Sequence, residues 1–416
     1  FLLGRLFFGT LGGYLCAAAA VYAPYLDMDL YVRAALSEFS AFPFCAFAMY
    51  GFAAYARGGR RRHLALGAAS YAGVVLSHFL VAFYFTPLLI AFLAVTSKRP
   101  MWRRLAFGVA LGIGLSAWVW LPILVEGRYV QLEKTMQGTF QYTYHLLRFD
   151  QLLDTGWGYA AAKTFGLGWG HLLLAVAAWV VARDRRWLKF FTAAAVVFCL
   201  FTLGAMEWAW EILTVLQRIQ FPWRLLGPAA ICLAALAAAV GPWIEGLGRW
   251  RWPVFAAAMA LLVLPNLPHL APVGYQDLDM RLMTPEYLAR SGVDTTTSRE
   301  LAPRWTQSLP EVPPPRARVV AGEGTVDSGL TAHMRTAGVV EFGIAYFPGW
   351  EARVDGAPVA MEPALATGLI RVAVPAGEHK LSVEFRRTGD CWAGELISLL
   401  ALAAMVGMTV RSRAGP

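Results

Sequence analysis

The sequence predicts a polytopic α-helical membrane protein that carries a small all-β domain of sandwich or jelly-roll type outside the cytoplasm. Three observations support this. The 416 residues are 58% hydrophobic and only 15% charged, where a soluble chain carries about 25% charged residues. The missing charge leaves long apolar runs, which bilayer-spanning helices need. After a proline cluster at Pro310, Pro313, Pro314 and Pro315, the apolar period changes from helical to alternating.

The apolar runs cover 6–24, 35–56, 64–96, 105–124, 168–182, 188–205, 225–240, 252–266 and 391–410. A spanning helix needs about 20 apolar residues. The 64–96 run is too long for one span and divides best at Ser77-His78. With Arg5 inside, the basic clusters 57–62, 98–104, 183–189, 249–251 and 411–413 all fall on one side. This alternation follows the positive-inside rule and gives about ten spans. The predicted organisation is a transmembrane domain over 1–266, an extracytoplasmic linker over 267–315, a β-sandwich over 316–388 and a last transmembrane helix over 391–410. The chain opens on Phe1 with no charged leader or cleavage site before it, so it reads as a fragment of a longer protein.

The net charge of +9 would suit nucleic acid if it formed one face. It is instead divided among short loops, so it reports topology, and no nucleic-acid partner is expected. Cys16, Cys45, Cys199 and Cys232 lie in apolar runs, Cys391 lies at the edge of one, and no CxxC pair occurs. Inert thiols are the expectation. The chain lacks a Walker loop, a GxGxxG fingerprint, a zinc spacing and a GxSxG elbow, which argues against ATP, nicotinamide and serine-hydrolase chemistry.

In the β region, 318–320, 339–347, 350–354, 369–374 and 380–385 have strand length and composition. Asp355-Gly356 and Pro375-Ala376-Gly377 are turn signals. Tyr346 to Trp350 reads as a strand end, a Pro-Gly turn and a packing tryptophan. The 125–167 loop reads as one or two short surface helices.

The densest chemistry lies in Tyr22-Ala-Pro-Tyr25-Leu-Asp27-Met-Asp29-Leu-Tyr31-Val-Arg33, followed by Glu38. Asp29 and Arg33 share a face if this loop is helical. Ionisable residues at a membrane segment are costly and mark function by default. Asp27, Asp29 and Glu38 are the candidate acid–base or metal-binding groups. Arg33 and Arg224 of Phe221-Pro222-Trp223-Arg224 are candidates to hold phosphate oxygens, and Tyr25 is a further candidate to bind substrate. His78, at the turn dividing 64–96, is a candidate phosphate ligand or proton carrier. Each also has a plain structural reading, as a helix cap, a tie between loops or a side chain reaching the interface.

YAPY…DLYVRAALSEF, VVLSHFLVAFYFTPLL, QFPWRLLG and AYFPGWEARVDG…RVAVPAGEHKLSVEF together resemble a bacterial membrane-protein family labelled 6-pyruvoyl-tetrahydropterin synthase-related. They resemble the YfhO-type proteins and, more remotely, the GT-C glycosyltransferases. The scattered histidines do not support pterin chemistry. The GT-C likeness implies sugar transfer from a polyprenyl-phosphate donor, with membrane lipid as partner, at the outer face of the bacterial inner membrane. It implies a carboxylate as base or metal ligand and admits a divalent cation, Mg2+ or Mn2+, as cofactor. It also implies a further outside loop upstream of Phe1 that holds the catalytic carboxylate of such enzymes. The alternatives are a transporter or flippase of a lipid-linked substrate, and a non-catalytic envelope scaffold.

Overall fold

The computed structural model describes residues 1–156, 165–272, 284, 300–308 and 315–410. Two compact units result. One comprises Phe1–Trp120, Thr139–Tyr275 and Glu395–Pro416, the other Leu121–Gly138 and Gln276–Gly394.

The helices are α1 (Leu2–Val21), α2 (Pro24–Tyr31), α3 (Leu36–Gly58), α4 (Arg61–Ser77), α5 (Phe79–Thr96), α6 (Trp102–Leu115), α7 (Ala117–Glu126), α8 (Trp169–Val181), α9 (Arg185–Leu200), α10 (Glu207–Ile212), α11 (Leu226–Ala238), α12 (Gly241–Glu245), α13 (Arg251–Val263) and α14 (Gly389–Val410). Six helical stretches among the described residues are long and apolar enough to cross a membrane, or seven if one bent pair counts as a span. The chain is a membrane-embedded protein. The count falls below the ten expected because α4, α8 and α9 are short, at 17, 13 and 16 residues. The division of 64–96 does fall at His78, between α4 and α5.

The 105–124 run is not one straight helix. Its two halves meet at 69°. Ser116 sits at the break, its hydroxyl donating to the carbonyls of Gly112 and Ile113 at 3.1 and 3.0 Å, which diverts the helical ladder. The 125–152 stretch forms five single 3-10 turns in place of the surface helices expected. Residues 157–164 of that loop lie outside the described residues.

Small residues set how closely the helices pack. Every residue of α11 is buried, and its sequence LGPAAICLAALAA is short of bulk. A Cβ on Gly241 would lie 2.3 Å from the Gly12 nitrogen, and one on Gly51 would lie 2.5 Å from the Gly67 nitrogen. Glycine therefore allows backbone-to-backbone contact between α1 and α12 and between α3 and α4. Helix α1 is itself broken at Phe8 and Gly9, where Gly9 has φ +74°. The Glu245 carboxylate closes the gap by accepting from the Leu11 N–H at 3.0 Å.

Among its described residues the second unit contains nine strands: β1 (Ala317–Ala321), β2 (Gly324–Val326), β3 (Thr331–Met334), β4 (Gly338–Ala345), β5 (Trp350–Val354), β6 (Ala357–Val359), β7 (Met361–Pro363), β8 (Leu369–Val374) and β9 (Gly377–Phe385). They form a sheet ordered β1-β4-β8-β7 and a sheet ordered β2-β3-β9-β5-β6. Val340, Phe342, Ile370 and Val372 of the first sheet share one core with Ala332, Ala352, Val354 and Leu381 of the second, as in a sandwich. Asp355 and Gly356 both have positive φ, 51° and 81°, the geometry of a tight hairpin turn. Trp350 packs edge-on against Phe385 at 5.3 Å, the packing role read from its sequence context.

Gly51→Val is expected to destabilise the protein in lipid nanodiscs by about 1–3 kcal/mol through backbone overpacking. Gly58→Val, where an added Cβ meets nothing within 4 Å, is the control for thermal unfolding. Equal midpoints would show that α3 and α4 do not depend on this close approach.

Candidate functional site

Helix α2 is the pivot of the site. Pro24 stands in its first turn, where the missing N–H costs nothing. The helix runs only to Tyr31. Asp27 and Asp29 are two residues apart, close to opposite sides of a 3.6-residue turn. The Asp-x-Asp pair therefore serves two environments.

Asp29 faces inward and is fully buried. Its carboxylate pairs with Arg33. Past the end of α2 the backbone turns sharply, with Ala34 at φ 52° and the Ala35 N–H donating to the Asp29 carbonyl at 2.7 Å. This turn brings α3 back so that Glu38, also fully buried, meets Arg33. The Arg33 Nη2 donates to Glu38 Oε2 at 3.1 Å. Arg224, in the 3-10 turn Pro222–Leu225, lies with Nε 3.3 Å from the same oxygen. The hydroxyls of Tyr25 and Tyr84 donate to Glu38 Oε1 at 2.7 and 3.2 Å. The Arg33 guanidinium also covers the Trp223 ring at 4.2 Å, and Trp223 stacks on Phe165 and Phe221 at 4.8 and 5.0 Å.

The structure thus gathers Tyr25, Asp29, Arg33, Glu38 and Arg224, which the sequence marks in two separate stretches. Tyr84 completes the cluster and was missed. Its signal was a phenolic hydroxyl in an apolar run, which needs a partner when buried. Two carboxylates and two guanidiniums balance. Both arginines are nearly enclosed, their side chains 8% and 11% exposed. Their charge is committed to carboxylates, so they tie elements together.

His78 borders the cluster and is half-buried. Its Nδ1 accepts from the Val81 N–H at 3.2 Å, capping α5, which leaves the proton of the neutral ring on Nε2. Burial, reinforced by Arg224 and Arg33 and opposed by Glu38, pushes its pKa down to about 4.

Asp27 stands apart. It is 3% exposed, and among the described residues its side chain has no hydrogen-bond or ion-pair partner. It lines an apolar cavity of about 350 Å3 with Leu3 and Ala20 of α1, Phe39 and Pro43 of α3, and Ala234 of α11. Exposed Leu2 and Phe47 form part of the lining. Burial pushes the Asp27 carboxyl up to about 8. Among the described residues, no group of three or more His, Cys, Asp and Glu side chains gathers as a metal-ligand set. Comparison with protein-family models, curated proteins and solved structures finds no match to this chain.

Removing Glu38 would leave Arg33 and Arg224 buried with too little negative charge. Glu38→Leu is expected to cost about 3–5 kcal/mol in denaturant unfolding, and Glu38→Leu with Arg224→Leu to cost less than Glu38→Leu alone. A fully additive pair would show that the two side chains are not coupled. For Asp27 the folded pKa near 8 lies above the ordinary 3.8, so the folded state holds the proton more tightly. Its contribution therefore favours folding at low pH and declines as pH rises through 8. Thermal midpoints across pH 6–9 are expected to fall more steeply in the wild type than in Asp27→Asn, and parallel curves would count against the raised pKa.

Proposed function

We propose that this chain belongs to a membrane glycosyltransferase that takes a sugar from a polyprenyl-phosphate donor. The acceptor would be an envelope glycan or lipid at the extracytoplasmic face of the bacterial inner membrane. The observation that carries this reading is the unpartnered Asp27 carboxyl set into an apolar cavity. Such a cavity suits a prenyl chain, and about 350 Å3 lies within the usual range of roughly 300–1,000 Å3 for ligand pockets. A carboxyl titrating near 8 suits proton transfer near neutral pH, because a general base works best with a pKa close to the operating pH.

In the reaction, the acceptor hydroxyl attacks the anomeric carbon of the donor sugar. The bond from that carbon to the phosphate oxygen breaks, polyprenyl phosphate departs, and the acceptor proton passes to Asp27. Asp29, Glu38, Arg33, Arg224 and Tyr25 hold α2 in place, so that Asp27 meets substrate at a fixed position. This assigns the arginines to positioning rather than to gripping the donor phosphate. Among the described residues no three-ligand set gathers, and Asp27 is a single carboxyl in an otherwise apolar lining, so the residues at this cavity do not fit a Mg2+ or Mn2+ ion and Asp27 serves as the base alone.

The transporter or flippase reading rests on a different feature. Helix α1 is discontinuous at Gly9 and its gap is closed by an ionisable side chain, Glu245. Broken helices of this kind form substrate and ion sites in secondary transporters.

The chain in proteoliposomes is to be supplied with radiolabelled polyprenyl-phosphate sugars, with and without divalent cation. Transfer is expected to rise with pH through about 8 as the base loses its proton. It is expected to fall by at least ~100-fold in Asp27→Asn, the scale of a lost general base. Transfer unchanged in that variant would remove Asp27 from the chemistry. Movement of a fluorescent lipid-linked sugar between leaflets without transfer would favour the flippase reading.

A further inference from the structure

The four-stranded sheet of the β unit turns Val340 and Phe342 of β4 and Ile370 and Val372 of β8 into its core. Strand alternation sends Glu341, Arg371 and Arg318 to the opposite face. The register sets Arg318 beside Glu341, Glu341 beside Arg371 and Arg371 beside Glu362. Glu341 is only 2% exposed although it lies on the outward face. Two arginines cover it. Arg318 reaches Oε1 through Nε at 3.1 Å and Nη2 at 2.7 Å, and Arg371 reaches Oε2 through Nε at 2.9 Å.

This clamp leaves part of Arg371 unused. Its side chain is 39% exposed, and among the described residues its two Nη groups have no partner. Glu362, directly opposite on β7, is exposed and likewise unpaired among the described residues. The guanidinium is instead held in a fixed orientation by Glu341, an enclosed carboxylate that costs desolvation to keep there. Beside this row the sheet face forms a trough of about 290 Å3. Val320, Val339, Ala360 and Ala373 supply its apolar lining and Arg371 and Glu362 its charged one.

We propose that this trough binds a neutral pyranose ring of a glycan. A sugar ring offers an apolar C–H face and a rim of hydroxyls that both donate and accept. The C–H face lies on the valine and alanine floor. Adjacent hydroxyls accept from the Arg371 Nη groups and donate to the Glu362 carboxylate, which are charge-assisted contacts. The Glu362 carboxylate also disfavours an anionic ligand, which separates this site from a simple phosphate-binding arginine. Glu341 and Arg318 act as positioning residues that orient Arg371. The proposal goes beyond the transferase reading and stands without it, because binding is measured with no donor lipid present.

The full chain in nanodiscs is to be titrated with maltose, N,N′-diacetylchitobiose and digalacturonate, read by saturation-transfer NMR and calorimetry. At least one neutral disaccharide is expected to bind at millimolar concentration. Its affinity is expected to fall roughly tenfold or more in Arg371→Gln and in Glu362→Gln. In Ala373→Glu the new carboxylate would engage the Arg371 Nη groups and cover the floor, so binding should be lost. Unchanged thermal midpoints in the three variants would separate these losses from misfolding. Glu341→Gln is expected to weaken binding while Arg371 remains present. Failure of every neutral probe to bind the wild type would overturn the proposal, as would binding that survives Ala373→Glu. Binding of digalacturonate alone, undiminished in Glu362→Gln, would overturn it too.

Discussion

Glu38 holds the helical unit together at its most expensive point. A carboxylate with no exposure inside the first turn of a spanning helix must be matched almost atom for atom, because nothing in a dry interior screens it. Tyr25 and Tyr84 donate to one oxygen, and Arg33 and Arg224 meet the other. Those four partners come from α2, α5, the turn after α2, and the turn before α11. A single ionised group therefore fixes the relation of four chain segments. The sharp turn at Ala34, strained for a residue with a Cβ, exists to complete this arrangement.

Two consequences reach the proposed chemistry. The first is rigidity on one face of α2 and freedom on the other. Asp29 is bound into the cluster, while Asp27, two residues earlier, meets an apolar cavity with its carboxyl unpartnered. Such a group keeps its proton to unusually high pH because the charged form has no solvation there. The second is that the arginines, drawn as phosphate ligands from the sequence, have already committed their charge. An ion cluster that balances internally positions; an unpaired group beside a cavity is the one free to react.

The β unit repeats the motif of one enclosed carboxylate between two arginines, with the opposite result. Around Glu38 both guanidiniums are buried and the charges close on themselves. Around Glu341 both guanidiniums stand partly in solvent, and Arg371 retains unused donors. At Glu38 a second carboxylate, Asp29, completes the balance and both cations are buried, whereas at Glu341 the exposed cations keep the free donors on which the proposed sugar site rests.

Much of this was legible in the residues. Long apolar runs imply a membrane-embedded chain because only helices or closed barrels satisfy their backbone there. Period-two alternation and Asp355-Gly356 marked β1, β4, β5, β8, β9 and the hairpin because side-chain direction and positive φ are local properties, whereas β2, β3, β6 and β7, of three or four residues each, are too short for alternation to show. The ionisable residues Asp27, Asp29, Arg33, Glu38 and Arg224 stood out against apolar sequence. Three things depended on packing across long separations and were decided only in three dimensions. Spacing puts Asp27 and Asp29 on opposite sides of α2 once that segment is helical, but which side meets Arg33 and which meets the cavity depends on the helices that flank it. Tyr84 joined the cluster only when α5 met α3. The bend at Ser116 and the break at Gly9 interrupt runs that hydropathy reads as continuous, because hydropathy counts apolar atoms and carries no record of where backbone hydrogen bonds are diverted.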